Sequence, residues 1–232
     1  MKTILLKFAG PLQSWGTSSH FETRYTDRYP SKSGVVGMIA ASLGYSRNDD
    51  IKIKELNNLE FAVRVDQEGS LLRDYHIATK YKPNGNFERT YVTNRYYLQD
   101  ALFIVAIGSA NHDLIDMIEN GLKRPYYQQF LGRRSLPLTA DFFIKTCESG
   151  VVESLKNLPW QAAKWYKTKN NSNYNNVLSV YADSYISESE STYLVRDYVE
   201  SFSQNKRVHD FRSVSKFQIS IANDPEDNEN RG

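Results

Sequence analysis

Cysteine is nearly missing from this chain: Cys147 is the single one in 232 residues. That excludes a disulfide within the chain and any zinc site built from cysteine pairs. Long apolar runs are missing as well. The longest, Ala101 to Ile107, falls far short of the roughly twenty residues a membrane-spanning helix needs, so no membrane partner is expected. The N-terminal MKTILLKFAG carries a lysine inside its apolar stretch and no small-residue cleavage site, so it is expected to form a first strand rather than a signal peptide. A cytosolic protein follows. The four histidines, His20, His76, His112 and His209, are too scattered to form a metal site by spacing, and no metal or other cofactor is expected. There is no P-loop, no G-x-G-x-x-G after a strand, no G-x-S-x-G elbow and no H-E-x-x-H.

Net charge is also small, with 29 Lys and Arg against 27 Asp and Glu, but it is unevenly distributed. From Arg73 to Arg95 the basic residues Arg73, Lys80, Lys82, Arg89 and Arg95 face only Asp74 and Glu88, and Tyr75, Tyr81, Phe87, Tyr91, Tyr96 and Tyr97 lie in or beside that stretch. The last ten residues run the other way, with Asp224, Glu226, Asp227 and Glu229 against Arg231. A basic, aromatic segment with an acidic tail fits a polyanionic partner better than a small-molecule substrate. The tail, from Asn223, is expected to be disordered.

The hydrophobic balance of 40% with 24% charge belongs to a globular chain with one core, or one core and a small added part. Ile4, Leu6 and Phe8 alternate with other residues and predict a strand that ends at Gly10-Pro11. Residues 31–45 change period, with Val35, Met38, Ile39, Ser42 and Leu43 on one helical face, Ser33 as N-cap and Gly44 as stop. Alternation returns at Leu59, Phe61, Val63 and Val65. Ala101 to Ile107 is apolar on both faces, as a central strand is; Asn111 to Leu122 has helical spacing; Asp141 to Cys147 closes the set. Strand, helix, strand, strand, helix, strand is the split βαβ, or ferredoxin-like, order. Between the second and third strands, Leu72 to Tyr97 with a Pro83-Asn84-Gly85-Asn86 turn predicts an inserted hairpin. After Glu148 the pattern weakens: a polar loop at 167–176, short strands near 174–185 and 193–202, and a final strand at 214–221. The expected class is α+β, with a ferredoxin-like domain over 1–147 and a small β-rich part over 148–222.

Candidate contacts each carry two readings. Gly132 beside Arg133 and Arg134 is a close-approach loop for a phosphate, or a turn with solvated arginines. Arg24, Arg28, Lys32 and Ser33 sit at the mouth of the first helix, where free amides can bind an anion, or form a charged flank to an ordinary cap. Trp15 stacks on a base or sits in the core. His76 acts as a proton shuttle, or as a structural or RNA-contacting imidazole.

Four blocks, AGPLQSWG (9–16), TRYTDRYPSKSGVVGMIAASLG (23–44), LRDYH (72–76) and FLGRRSLPLT (130–139), resemble in order and spacing the CRISPR-associated CasD family. That family is the RAMP-type subunit capping the foot of the type I-E Cascade surveillance complex. RVHDFRSVSKFQISI (207–221) is similar to its closing strand, with Ser215 and Lys216 where the family tends to have a further arginine. The resemblance implies an RNA-recognition-like (RRM-like) fold whose hairpin of residues 72–97 is a thumb. It implies a non-catalytic role in antiviral defence: holding the 5′ handle of CRISPR RNA, reaching towards the backbone subunit CasC, docking the large subunit CasA, and meeting target DNA only through the complex. Precursor cleavage belongs to a separate subunit, CasE. RNA contacts are then expected at Gln13, Trp15, Arg24, Arg28, Lys32, Ser33, Arg73, Tyr75, His76, Lys80, Arg89, Arg95, Gly132, Arg133, Arg134 and Arg207. Two other readings stand beside it. One is a metal-independent endoribonuclease working through Tyr75 and His76; the other is a stand-alone RNA-binding regulator.

Overall fold

The computed structural model describes residues 1–17, 22–170, 177–187 and 191–221. The expected acidic tail from Asn223 and part of the asparagine-rich loop lie outside them. In chain order the elements are β1 (Lys2–Ala9), β2 (Leu12–Gln13), β3 (Thr23–Arg24), α1 (Lys32–Ser42), α2 (Asp50–Leu56), β4 (Glu60–Gln67), β5 (Ser70–Tyr81), β6 (Phe87–Gln99), β7 (Leu102–Ser109), α3 (His112–Lys123), β8 (Phe143–Cys147), α4 (Val151–Lys156), α5 (Lys164–Asn170), β9 (Val177–Asp183), β10 (Thr192–Ser201) and β11 (Val208–Ser220). Seven strands make one sheet in the order β10-β11-β9-β4-β7-β1-β8, and every neighbouring pair is antiparallel.

The central strands explain why the sheet is covered twice. β7 is buried on both faces: Phe103, Val105 and Ile107 pack with Val35, Ile39, Ile115 and Ile118 of α1 and α3, while Leu102, Ile104 and Ala106 pack with Val151, Leu155 and Trp160 on the opposite side. A strand apolar at every position needs both layers. The residues after 148 supply the second layer and then continue the same sheet, with Ala62, Val63 and Arg64 of β4 pairing Ala182, Tyr181 and Val180 of β9.

β5 and β6 leave this sheet and pair with each other from Ser70↔Gln99 to Tyr81↔Phe87. Their turn is closed by Lys82 N–H to the Asn86 carbonyl at 2.8 Å and by Gly85, at φ +82°. The free edge of β6 takes two short strands, antiparallel β2 at Leu98–Gln99 and parallel β3 at Asn94–Arg95.

Some expectations need correction. The N-cap of α1 is Ser31, not Ser33: its hydroxyl accepts from the Gly34 N–H at 3.3 Å. Gly44, at φ +73°, is the stop. Residues 164–170, read in part as loop, are helical. The last strand starts at Val208, six residues earlier than the sequence pattern suggested.

Candidate nucleic-acid interface

Period-two geometry sorts the hairpin's side chains onto two faces. Register places Arg73 opposite Tyr96, Tyr75 opposite Asn94 and Ile77 opposite Val92 on one face. It places Asp74 opposite Arg95, His76 opposite Thr93 and Lys80 opposite Arg89 on the other. The first face is aromatic and apolar and reaches solvent at Tyr75, Ile77 and Val92. There Tyr25 stacks on Tyr96, with centroids 5.2 Å apart, and Arg73 donates from Nε to the Asn94 side chain at 2.9 Å. The second face is basic. Lys80 is paired with Glu88 at 2.8 Å, and Arg89 lies over the Tyr91 ring at 4.4 Å.

Three arginines converge at the root of the basic face. Parallel pairing sets Arg24 of β3 beside Arg95 of β6. Arg133 comes from the loop after α3, stacks on Tyr97 at 4.4 Å, and donates from Nη2 to the Arg24 and Tyr96 carbonyls at 3.1 and 3.2 Å. Its guanidinium is therefore fixed in place. Its Nη1 is buried with no hydrogen-bond partner, and so is Nε of Arg95. A buried donor left unpaired costs about 1–3 kcal/mol, so two on neighbouring guanidiniums mark a place where an acceptor-rich ligand would restore what the fold leaves unmade. Gly132 makes this packing possible. It has φ +85°, and a Cβ there would lie 1.7 Å from the Ser14 carbonyl oxygen. Leu131 in turn accepts from Ser14 N–H at 3.2 Å.

Arg28 and Arg134 are exposed, one between β3 and α1, the other next to Arg133. Tyr75 and His76 are exposed on opposite faces of β5.

Gln13, Trp15 and Lys32 do not belong to this surface, and the half-buried Ser33 hydroxyl donates to Ser31 Oγ at 3.4 Å. Gln13 is fully buried and ties the core together: its Nε2 donates to the Phe8 and Ala101 carbonyls at 3.0 and 2.8 Å, and its Oε1 accepts from Trp15 Nε1 at 3.0 Å. Trp15, 1% exposed, stacks on Phe8 at 5.3 Å, which decides for the core reading. Lys32 is buried, with Nζ 3.0 Å from Asp183, and burial holds its ammonium below the usual value against the pull of that carboxylate. The α1 N-terminus already has its anion. Asp197 accepts from the Lys32 N–H at 2.7 Å, and Arg212 bridges Asp197 and Asp183 at 2.8 and 2.7 Å. Arg207 is exposed on the turn before β11, near Arg196 and His209 rather than at the arginine cluster.

Sequence reasoning missed Tyr25 and Tyr96, although alternation along FERTYVTNRYYLQ puts Tyr96 on the face opposite Arg95. Among the described residues, no helix is long and apolar enough to cross a membrane.

These features define a mixed α/β protein with one large antiparallel sheet, few helices and an arginine cluster at the root of a side hairpin. The chain belongs to the CRISPR-associated protein family (Cas_Cas5), which matches residues 3–215. It is 37% identical to the CRISPR system Cascade subunit CasD of Escherichia coli (strain K12) over 161 residues, 63% of this chain and 71% of that one. In structure it is similar to a chain of a CRISPR RNA-guided surveillance complex, with a TM-score of 0.76 at 28% identity over 99% of this chain and 97% of the other. It is also similar to a Cas protein crystal structure, with a TM-score of 0.66 at 29% identity over 96% and 99%.

Proposed function

We propose that this chain is the non-catalytic subunit of a type I-E Cascade surveillance complex that holds the 5′ handle of CRISPR RNA and caps the backbone, in antiviral defence. In this reading β1, α1, β4, β7, α3 and β8 are the ferredoxin-like unit, with strands in the order β4-β7-β1-β8. The β5–β6 hairpin is the thumb, directed towards a CasC-like backbone subunit, and a CasA-like large subunit docks nearby. The observation that carries the reading is the pair of unpaired guanidinium donors on Arg95 and Arg133, beside Arg24 at the root of the hairpin's basic face, with the Tyr25–Tyr96 stack on the hairpin's opposite face. Phosphates supply the missing acceptors, and stacking on exposed rings suits single-stranded RNA of fixed sequence. Guide pairing then leaves target sequence to the RNA itself.

The competing reading, a metal-independent nuclease, centres on Tyr75 and His76. Metal-independent cleavage needs a base for the 2′-hydroxyl and an acid for the leaving oxygen. Tyr75 and His76 are exposed on opposite faces of β5, so the two side chains of that reading do not meet at one scissile bond, which favours binding.

The test is the double variant Arg133→Ala/Arg134→Ala in the reconstituted complex. Handle affinity is expected to fall by at least tenfold, and the salt dependence to flatten by roughly one to two phosphate contacts. Arg133→Lys is not expected to restore affinity, because an ammonium cannot hold two carbonyls, lie over Tyr97 and still present a further donor. Unchanged affinity and salt slope, or site-specific cleavage of repeat RNA in chelator that His76→Ala abolishes, would overturn the reading.

A further inference from the structure

The segment that delivers Arg133 carries a second surface that the arginine cluster does not use. From Asn120 to Ala140 there is no acidic residue, while Lys123, Arg124, Arg133 and Arg134 all fall within it. Lys123 is occupied, paired with Glu119 at 2.5 Å and lying over the Phe143 ring. Arg124 is exposed, and its side chain makes no ion pair among the described residues.

Beside it Tyr126 and Tyr127 are 73% and 54% exposed, yet they are held in place. The Tyr126 N–H donates to the Ser42 carbonyl at 2.9 Å and the Tyr127 N–H to the Ala41 carbonyl at 3.3 Å, which closes the last turn of α1. The rings meet edge to face with centroids 4.7 Å apart, and the Tyr126 ring is backed by Gly44. Below them Gln129 is locked by its Nε2 to Ser42 Oγ at 2.7 Å.

Two large rings held mostly in water by an anchored backbone gain the fold little, since most of their apolar surface stays wet. An ordered, exposed ring with a cation next to it is the arrangement on which bases stack, with little entropy left to lose on binding. The local charge favours an anionic partner, because no carboxylate in the segment repels phosphate, and the exposed rings favour one with bases to stack. Arg133 follows Tyr127 by six positions, so their backbones lie no more than about 22 Å apart, within reach of a few nucleotides of one strand.

We propose that Tyr126 and Tyr127, with Arg124, form a second single-stranded RNA contact that stacks bases of the same strand held at Arg24, Arg95 and Arg133. This rests on the handle-binding reading and extends its footprint to the C-terminal end of α1.

The experiment uses the full chain in the reconstituted complex and synthetic CRISPR RNAs carrying 2-aminopurine at successive handle and first spacer positions. Tyr126→Ala/Tyr127→Ala is expected to weaken RNA binding about fivefold or more, and to remove quenching at one run of positions only. Tyr126→Phe/Tyr127→Phe, which keeps the rings, is expected to restore both, and Arg124→Glu to weaken binding without restoring fluorescence along the whole handle. Thermal melting close to wild type is expected for all three, since the side chains are exposed. Unchanged affinity and quenching in the alanine variant would overturn the proposal. So would loss of a protein subunit from the complex with RNA affinity intact, which would make this face a protein contact. If the wild-type complex itself ignores the handle while the Arg133→Ala/Arg134→Ala variant behaves identically, the handle reading fails, and this extension of it falls too.

Discussion

A methyl group on Gly132 would sit 1.7 Å from the Ser14 carbonyl oxygen, on a residue whose φ of +85° already disfavours any side chain. Backbone must move to admit it, and the backbone in question carries Arg133. Gly132→Ala is therefore expected to cost about 2 kcal/mol or more, at the upper end of the range for strained backbone. It should also lower RNA affinity as much as Arg133→Ala does. Gly85→Ala is the control: its φ is nearly the same, +82°, but nothing lies within 4 Å, so only the conformational cost of about 1 kcal/mol remains. Urea denaturation of both variants checks the difference, and equal losses would show that the Ser14 contact is not what matters. That Gly132 permits a close approach was legible in sequence, but the expected neighbour there was a phosphate, whereas the one found is the Ser14 backbone, and the Gly132 N–H donates to the Phe130 carbonyl at 3.0 Å. Gln13 and Lys32 were not legible, because partners that bury them are remote: Ala101 is 88 residues from Gln13, and Asp183 is 151 residues from Lys32. For Trp15 the core reading stood beside the stacking one, and its partners Phe8 and Gln13 are near in sequence. A lysine at a helix mouth looks like an anion site until its buried carboxylate is known.

Strands were easier to read than helices. β1, β4 and β7 follow from alternation or from a fully apolar run, because a strand's face assignment repeats every two residues. α2, α4 and α5 have seven, six and seven residues, too short for a 3.6-residue period to declare itself. The β10–β11 pair shows what an element adds to a single side chain. His209 on β11 is opposite Val199, and burial, followed by Arg207 and Arg196, holds its imidazole below the ordinary value. Protonation is harder in the folded chain than in the unfolded one. Its contribution to stability is thus complete above the unfolded pKa of about 6.5 and is lost as pH falls through that value towards the folded pKa. Thermal melting from about pH 7.5 to about pH 5.5 should show the wild-type Tm falling with a steeper slope than that of His209→Gln. Parallel slopes for the two proteins would rule out this histidine as a source of acid sensitivity.

Across the molecule, the strands after residue 176 were visible as strands but not as a continuation of the first sheet. Nothing in their pattern says which edge they join. The answer lies in four charges. Lys32 on α1, Asp183 on β9, Asp197 on β10 and Arg212 on β11 are all buried, and Asp183 also accepts from the Phe61 N–H of β4 at 3.0 Å and from the Tyr185 hydroxyl at 3.2 Å. Two cations and two carboxylates balance, so the cluster is tolerable only while complete. It joins one helix and four strands, elements that the sequence separates by up to 165 residues in the Lys32–Asp197 contact. Asp183→Asn keeps the shape but removes one charge, leaving Lys32 and Arg212 to share Asp197 in a site closed to water. Breaking a buried pair in this way costs about 3–5 kcal/mol, and at this chain length each kcal/mol moves Tm by roughly 2–4 °C. A fall of about 6–20 °C is expected. The loss should be concentrated in slowed-exchange amides of β9, β10 and β11, with β1 and β8 at the far edge of the sheet affected least. Replacing Lys32 with Met in the same background should recover part of the loss by restoring neutrality. If Asp183→Asn melts with the wild type, the added strands are held by apolar packing alone, and the charge cluster has no part in fixing where they join.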